Sequence, residues 1–247
     1  MHVGRRAAMT ALLAAGLAPG SGARAAGAGP RPPTALLGSE IRRLPTARRV
    51  VALTFNAAWD ESGIDTVLGE LRRRKVPATF FPTGRFADAH PAAVRAMAAS
   101  HGLGNHSYSH PYFADLSAAD RADEVRRADA AIRRASGAEP LPLFRFPYSA
   151  TTADCVADVN DLGYAAIEFT QDTKGYLGPA GGMTVDEAVA RAVDALCPGA
   201  IIQMHVGSTG DGVVIDAQAL PRIIDAAQDD EYEIIDLRRF LTEAAAP

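Results

Sequence analysis

Two histidines four positions apart carry a chemical signal in this chain of 247 residues. His106 and His110 stand in the segment GNHSYSHP, and on a helical turn this spacing places both imidazoles on one side. Paired imidazoles are suited to one divalent metal such as zinc. The same spacing also fits two loop histidines that face solvent. Because no glutamate lies between them, the metalloprotease pattern H-E-x-x-H is disfavoured.

Other polar side chains stand where apolar, β-branched runs end, namely Asn56, Asp60, Arg145, Asp172 and His205. An arginine at a strand end can orient a carboxylate or a substrate oxygen. One histidine within hydrogen-bond reach of one aspartate forms a general-acid pair, because the carboxylate fixes the imidazole tautomer and raises its basicity. Each residue alone is more often structural. Together, at strand ends of one domain, they predict a hydrolytic site.

The elements that must position these residues alternate along the chain. Helical patterns separate seven apolar runs that predict strands, at 50–55, 78–83, 101–105, 143–146, 165–170, 200–205 and 232–236. Strands that alternate with helices in this way predict an α/β fold with a parallel sheet, and seven suit a closed or nearly closed barrel. In such folds the site lies at the carboxyl ends of the strands.

The chain divides into three parts by composition. Residues 1–25 predict an export signal, since paired arginines precede a short apolar stretch and an A-x-A cleavage site; an uncleaved tether is the alternative, and the Sec and Tat routes both stay open. The apolar stretch is too short to form a typical transmembrane helix, and no later segment is apolar enough to span a bilayer. Residues 26–49, rich in Pro and Arg, predict a linker, either solvated or close to an anionic cell surface. Residues 50–247 predict the folded domain.

Charge and cysteine content narrow the possible partners. The formal net charge is −4, and the acidic balance beyond the predicted signal argues against a nucleic-acid partner. Two cysteines in an exported protein suggest a disulfide. Cys155 and Cys197 are nevertheless predicted on opposite faces of the domain, at opposite ends of β/α units, which is too far apart for a bridge.

Five motifs in order resemble the NodB-homology polysaccharide deacetylases, carbohydrate esterase family 4: LTFN, NHSYSHP, FRFPY, TQDTKGY and QMH. The resemblance extends over residues 50–241. It implies a distorted (β/α)7 barrel and metal-assisted removal of N-acetyl groups from amino-sugar polymers, such as peptidoglycan or chitin-like glycans. It also implies a divalent metal, with zinc first and cobalt or another transition metal as alternatives.

The resemblance assigns roles position by position. His106 and His110 match the family's metal-binding histidines, and Arg145 matches the arginine that holds the catalytic base. The backbone N–H of Tyr148 matches a donor to the oxyanion. His205 matches the catalytic histidine, and Asp172 matches the carboxylate behind it.

The first motif departs from the family pattern T-F-D-D. Asn56 stands in place of the base and Ala57 in place of the metal-binding aspartate. An amide cannot take a proton from water, and loss of one general base typically costs ~10²–10⁴ in rate. Two histidines alone would hold zinc weakly, because catalytic zinc sites normally have three protein ligands. Asp60 is either the substitute ligand or base, with Glu61 a poorer one, or the cap of a helix that starts at Glu61.

Three more positions bear on the substrate. Tyr176 stands where the family's D-x-x-D-W motif has tryptophan, and Gly175 replaces its second aspartate. Gln203 stands where the family has a leucine against the acetyl methyl group. Trp59, the sole tryptophan, is either a platform for a sugar ring or a hydrophobic lid.

Two hypotheses follow from these residues. The first is an exported deacetylase-like hydrolase with slow or altered chemistry, and the second is a glycan-binding module that has lost turnover. Asn56 favours binding alone, whereas the retained pair of Asp172 and His205 favours hydrolysis. A serine hydrolase through residues 207–210 is excluded because Gly-Ser-Thr-Gly is not G-x-S-x-G.

Overall fold

The computed structural model of the chain describes Met1, residues 31–209 and residues 212–245. The remainder of the predicted export signal, residues 2–25, lies outside the described residues. Within them the strands are β1 Val50–Ala57, β2 Thr79–Pro82, β3 Gly102–Leu103, β4 Leu143–Phe144, β5 Ala165–Ala166, β6 Gln171–Asp172, β7 Ala200–His205 and β8 Glu233–Ile235. The α-helices are α1 Ile64–Arg74, α2 Gly84–Ala89, α3 Pro91–Ala98, α4 Ala118–Ser136, α5 Ala153–Asp161, α6 Val185–Asp194, α7 Ile215–Asp229 and α8 Leu237–Ala244.

The strands pair in parallel around β1. Strand β7 lies along one side of β1, while β8 pairs with its first residues and β2 with its last ones. Strand β3 follows β2, and a bridge between Asn105 and Phe144 continues the order to β4 and then β5. Strands β5 and β6 lie at the two ends of residues 165–172, so this segment leads from the β4–β5 pair to the main sheet. Because β6 pairs with β7, the strands follow one another around a ring. This is the distorted α/β barrel that the sequence predicts, and each of the seven predicted strand regions contains a strand.

The helices cover the barrel through apolar stripes. In α1 the predicted stripe of Ile64, Val67, Leu68 and Leu71 is buried in the main core. The predicted start of α6 is also confirmed, since Thr184 and Glu187 form a capping box there. The α1 stripe shares this core with apolar side chains of β1 and β7, the strands that end at Asn56 and His205.

Residues 31–49 correct the prediction of a linker. Leu36, Ile41 and Leu44 are buried in a core cluster with the barrel strands. Ile41 also forms a bridge with Ile167 beside β5. The proline and arginine content suggested a solvated segment, but three well-spaced apolar side chains are enough to pack it against the barrel. The described part of this segment is therefore part of the domain.

Two further predictions concern the cysteines and the membrane. Cys155 and Cys197 are both free, as predicted, and Cys155 lies near the start of α5. Among the described residues, no helix has the length and apolarity needed to cross a bilayer. The longest of them, α4, carries several arginines along its length.

Candidate functional site

A cavity of about 470 Å³ opens at the carboxyl ends of the strands. It brings together nine of the predicted site residues: Asn56, Trp59, His106, His110, Tyr148, Asp172, Tyr176, Gln203 and His205. Arg145 lies fully buried behind Asn56. Asp60 is not among the lining residues. The strand ends therefore converge as parallel barrel strands require.

The loop after β3 presents the two histidines. Asn105 shapes this loop, because its side-chain oxygen accepts the Ser107 N–H at 3.0 Å. The backbone of Ser107 and His110 is left-handed, with φ of 65° and 63°. As a result the rings of His106 and His110 meet edge to face, with centroids 4.8 Å apart. The predicted proximity of the two imidazoles is thus present, on an irregular loop and not on a helix.

Both imidazoles are neutral at neutral pH. Burial lowers the pKa of His106 well below its usual value, and the neighbouring His110 adds to this effect. Burial likewise lowers the pKa of His110 to about 4. The Nδ1–H of His106 donates to the carbonyl oxygen of Arg145 at 2.8 Å, which leaves the Nε2 lone pair free. Nδ1 of His110 is buried without a hydrogen-bond partner. Neutral rings with free lone pairs are what a metal ion needs.

The rest of a catalytic metal site is missing from the described residues. No three His, Cys, Asp or Glu side chains form a group there that could hold a metal ion. Ala57, at the position of the family's metal-binding aspartate, is fully buried in the hydrophobic core. The donor set of two imidazoles does not fit a three-ligand catalytic centre. We therefore derive no catalytic step through a metal.

Asp60 stabilises a loop. One of its carboxylate oxygens accepts the backbone N–H of Ser62 at 2.9 Å, and the other accepts that of Ser208 at 3.0 Å. The aspartate thus ties the segment after β1 to the segment after β7. The prediction that it caps a helix starting at Glu61 is wrong, because α1 starts at Ile64 with Gly63 as its N-cap. Both carboxylate oxygens are engaged away from the cavity lining.

The two departures Asn56 and Gln203 are hydrogen-bonded to each other. The Asn56 side-chain NH₂ donates to Gln203 Oε1 at 3.2 Å. On its other side, Asn56 Oδ1 accepts from Arg145 Nη1 at 3.1 Å. Asn56 is 6% and Gln203 5% exposed, so water cannot easily replace either bond. The amide is oriented uniquely, since reversing it would turn its NH₂ toward the guanidinium.

Arg145 is a buried cation with mostly neutral partners. It donates to Thr54 Oγ1 and to the backbone oxygens of Ile167 and Glu168, at 3.0–3.3 Å. Burial lowers its pKa to about 10, so it stays charged at neutral pH. Among the described residues no carboxylate lies within ion-pair distance of it, since Glu168 contributes a backbone oxygen only. Arg145 therefore contacts the Asn56 oxygen at the position where the family resemblance expects a carboxylate.

Asp172 and His205 are close but are not hydrogen-bonded. Asp172 Oδ1 lies 3.9 Å from His205 Nδ1. A second carboxylate, Asp216 Oδ2, lies nearer at 3.6 Å. Asp216 stands in the first turn of α7 and is fully buried, and sequence reasoning missed it. The available signal was an acid inside the apolar run VVIDA, which resembles an ordinary helix start.

Aromatic rings form the rim of the cavity. Trp59, Tyr112 and Tyr148 are 48%, 52% and 53% exposed, and apart from Met1 they are the exposed large apolar residues of the described chain. Ring centroids lie 5.2 Å apart from Trp59 to His110, 4.5 Å from His110 to Tyr148, and 4.0 Å from Tyr148 to Tyr112. Tyr112 was also missed. We call the three exposed rings Trp59, Tyr112 and Tyr148 the aromatic rim.

Tyr148 sits on a tight turn beside this rim. Its backbone is left-handed, with φ of 59°. Glu168 holds the turn from behind, because its carboxylate accepts the Phe146 N–H at 3.1 Å and the Ser149 hydroxyl at 2.8 Å. Burial raises the pKa of Glu168. The backbone at Tyr148 is thereby fixed against the cavity.

The chain is thus an α/β barrel with two adjacent histidines, a buried arginine and a histidine between two aspartates at the carboxyl ends of its strands. Residues 43–167 match the family described as polysaccharide deacetylase. The chain is 35% identical over 161 residues to a chitooligosaccharide deacetylase of Bradyrhizobium sp., covering 64% of this chain and 71% of that protein. It is 32% identical over 201 residues to a chitooligosaccharide deacetylase of Sinorhizobium fredii, covering 76% and 90%. The chain belongs to the polysaccharide deacetylase family.

A solved structure agrees with the fold. A carbohydrate esterase family 4 pseudoenzyme from Bacillus anthracis superposes with a TM-score of 0.74 at 24% identity, covering 83% of this chain and 69% of that one. At this identity the likeness concerns the fold alone.

Proposed function

We propose that this chain binds N-acetylated amino-sugar glycans in the cavity and that its native form deacetylates them slowly or not at all. The observation that carries the proposal is the Asn56 amide, which is fixed between Arg145 and Gln203 at the position where the family resemblance expects a base. Family membership supports the glycan as ligand, and relatives named chitooligosaccharide deacetylase support its N-acetylated class.

The aromatic rim supports glycan binding. A group of adjacent exposed apolar side chains often marks a binding site, and the rings of the rim are adjacent through His110. Pyranose rings have apolar faces that stack on aromatic side chains, while their hydroxyl groups need polar partners. The cavity offers both, because Asp172, Lys174 and Arg191 line it beside the rings. A chain of sugars could lie across the rim with one N-acetyl group in the cavity.

The polar groups of the cavity support weak turnover. The Asn56 amide has no basicity, and the absence of a general base at this position is expected to cost ~10²–10⁴ in rate. His106 and His110 are the residues that would hold a zinc-like ion, with no carboxylate beside them in the described residues. Gln203 also introduces a polar amide where an acetyl methyl group would be buried. The cavity thus remains, but it lacks the general base, the metal-binding carboxylate and the apolar acetyl pocket that deacetylation would use.

A second candidate function is residual hydrolysis. His205 lies between two carboxylates, and a binding protein has no need for a general acid. Asp60 could still serve such an enzyme only after leaving its bonds to Ser62 and Ser208. We therefore place hydrolysis second.

Export would bring the protein to its ligand. Amino-sugar polymers lie outside the cytoplasm, and residues 1–25 are predicted to direct export. We propose an extracellular or cell-envelope location on this basis. N-terminal sequencing of the chain from the culture medium or the envelope fraction should find cleavage after Ala25.

The test uses Trp59, which is the only tryptophan and stands at the rim. Titration with chitooligosaccharides or peptidoglycan fragments should change its fluorescence, whereas cello-oligosaccharides, which lack acetyl groups, should have a weaker effect. Acetate release is measured in parallel with added zinc or cobalt, for the native chain and for Asn56→Asp. Binding without release by the native chain supports the proposal. Release by the native chain at the rate of Asn56→Asp supports hydrolysis, and absence of binding contradicts both.

A further inference from the structure

We propose that Asp216, and not Asp172, is the carboxylate that positions the His205 imidazole in the cavity. The role is that of a positioning residue, because Asp216 acts through His205 and does not line the cavity. The inference rests on the proposed function only in that His205 faces the bound glycan.

The distances favour Asp216. Its Oδ2 lies 3.6 Å from His205 Nδ1, against 3.9 Å for Asp172 Oδ1. Nδ1 is buried and has no hydrogen-bond partner at present. A shift of a few tenths of an ångström would bring Asp216 Oδ2 within hydrogen-bond distance. The same oxygen already accepts the His205 backbone N–H at 2.7 Å, and this bond keeps the Asp216 carboxylate beside the residue whose ring it would orient.

The environments of the two aspartates also differ. The Asp172 side chain is 16% exposed, whereas that of Asp216 is 0% exposed. A charge without access to water is less screened and interacts more strongly with a neighbouring ring. Asp216 therefore has the larger influence on His205.

The fold holds Asp216 in place through the segment after β6. The Thr173 hydroxyl donates to Asp216 Oδ1 at 2.6 Å. Gly175 lies so close that an added Cβ would come 2.3 Å from the carboxylate carbon. Any residue with a Cβ atom at position 175 would force the Asp216 carboxylate to move, because real Cβ atoms essentially never come within 3.0 Å of such a neighbour. Gly175 replaces the second aspartate of the resembled D-x-x-D-W motif, so the Asp216 carboxylate fills space that a side chain at 175 would take.

This arrangement determines how His205 meets a ligand. If Nδ1–H points to the Asp216 carboxylate, Nε2 carries the lone pair and is the ring nitrogen available to the cavity. The Tyr176 ring, with its centroid 4.7 Å from that of His205, limits rotation of the imidazole. His205 can then accept a hydrogen bond from a glycan hydroxyl or amide N–H, or take up a proton at Nε2.

The experiment is a long-range ¹H–¹⁵N spectrum of the histidine rings in the full, ¹⁵N-labelled chain, with and without Asp216→Asn. Wild-type His205 should show the Nδ1–H tautomer. Asp216→Asn should shift the balance toward Nε2–H, because a neutral amide oxygen is a weaker acceptor for Nδ1–H than a carboxylate. The variant should fold, because its amide oxygen can still accept the His205 N–H. Its NH₂ can donate to Thr173, whose hydroxyl can instead donate to the Gln203 carbonyl oxygen, 3.2 Å away.

Asp172→Asn is the matched control and should leave the His205 tautomer unchanged. Gly175→Ala is a second route to the same result, since its methyl group must displace the Asp216 carboxylate without removing any charge. The proposal is overturned if Asp172→Asn shifts the signal as much as Asp216→Asn, or if neither Asp216→Asn nor Gly175→Ala shifts it. None of these readouts depends on glycan binding, so a failed proposed function would leave them interpretable.

Discussion

The hydrogen bond between Asn56 and Gln203 predicts that these two positions change together. We consider Asn56→Asp, Gln203→Leu and the double variant. In the native background, Gln203→Leu removes the acceptor of a buried NH₂ group. A buried donor left without a partner costs about 1–3 kcal/mol. With aspartate at position 56 there is no such donor, and the same leucine should cost nothing by this route.

The magnitude follows from the double-mutant cycle. Leucine buries apolar surface in both backgrounds, so that contribution cancels. Asn56→Asp alone is expected to be tolerated, because Arg145 Nη1 at 3.1 Å would then donate to a carboxylate. The remaining coupling between the two substitutions should be about 1–3 kcal/mol, within the range for residues in contact.

The assay is urea unfolding of the four proteins at pH 7.5, which gives the free energy of unfolding for each. Met204→Leu is the control partner for Asn56→Asp, because Met204 is the next residue of β7 and is buried in the main core. That pair should be additive. If Asn56→Asp and Gln203→Leu were also additive within about 0.5 kcal/mol, the bond between their side chains would carry no energy and the reasoning would be refuted.

Three further predictions concern the histidines and Asp60. His106→Ala should abolish the weak zinc binding expected of the native chain on equilibrium dialysis with added zinc, and unchanged zinc binding would contradict the assignment of the histidine pair. Asp60→Ala should lower the free energy of unfolding by about 1–3 kcal/mol, since the Ser208 N–H loses its acceptor, while zinc retention stays the same; loss of zinc would make Asp60 a ligand. Burial lowers the pKa of His101 below 6.5, with Asp236 opposing the shift, so the unfolded chain binds this proton more readily. The neutral His101 side chain therefore stabilises the fold fully above pH 6.5, and this stabilisation is lost as the pH falls. In His101→Gln the free energy of unfolding, measured with urea, should change less between pH 7.5 and 5 than in the native chain.

The sequence predicted the barrel well because its strands are short apolar runs that end at polar residues. In parallel barrels those ends must converge, so the alignment of Asn56, His106 and His205 on one cavity required no knowledge of side-chain contacts. The apolar stripe of α1 was predictable for a similar reason, since helical periodicity is local in sequence.

Properties that depend on tertiary contacts were not predictable in this way. Residues 31–49 contain few apolar side chains, and only the barrel surface shows that Leu36, Ile41 and Leu44 fill gaps in it. Asp60 follows a strand end in the sequence, yet the Ser208 N–H on a distant loop draws its carboxylate away from the cavity. In both cases the deciding partner lies far along the chain.

The departures from the family pattern acquire a different meaning once their partners are known. Asn56 and Gln203 are 147 residues apart and each, taken alone, looks like a lost function. In the fold they satisfy one another, and Gly175 likewise makes room for the buried carboxylate of Asp216. Random decay would leave unpaired buried donors and empty space at such positions, each costing stability. Two matched pairs around one cavity instead indicate substitutions that fit one another, which agrees with the glycan ligand proposed above.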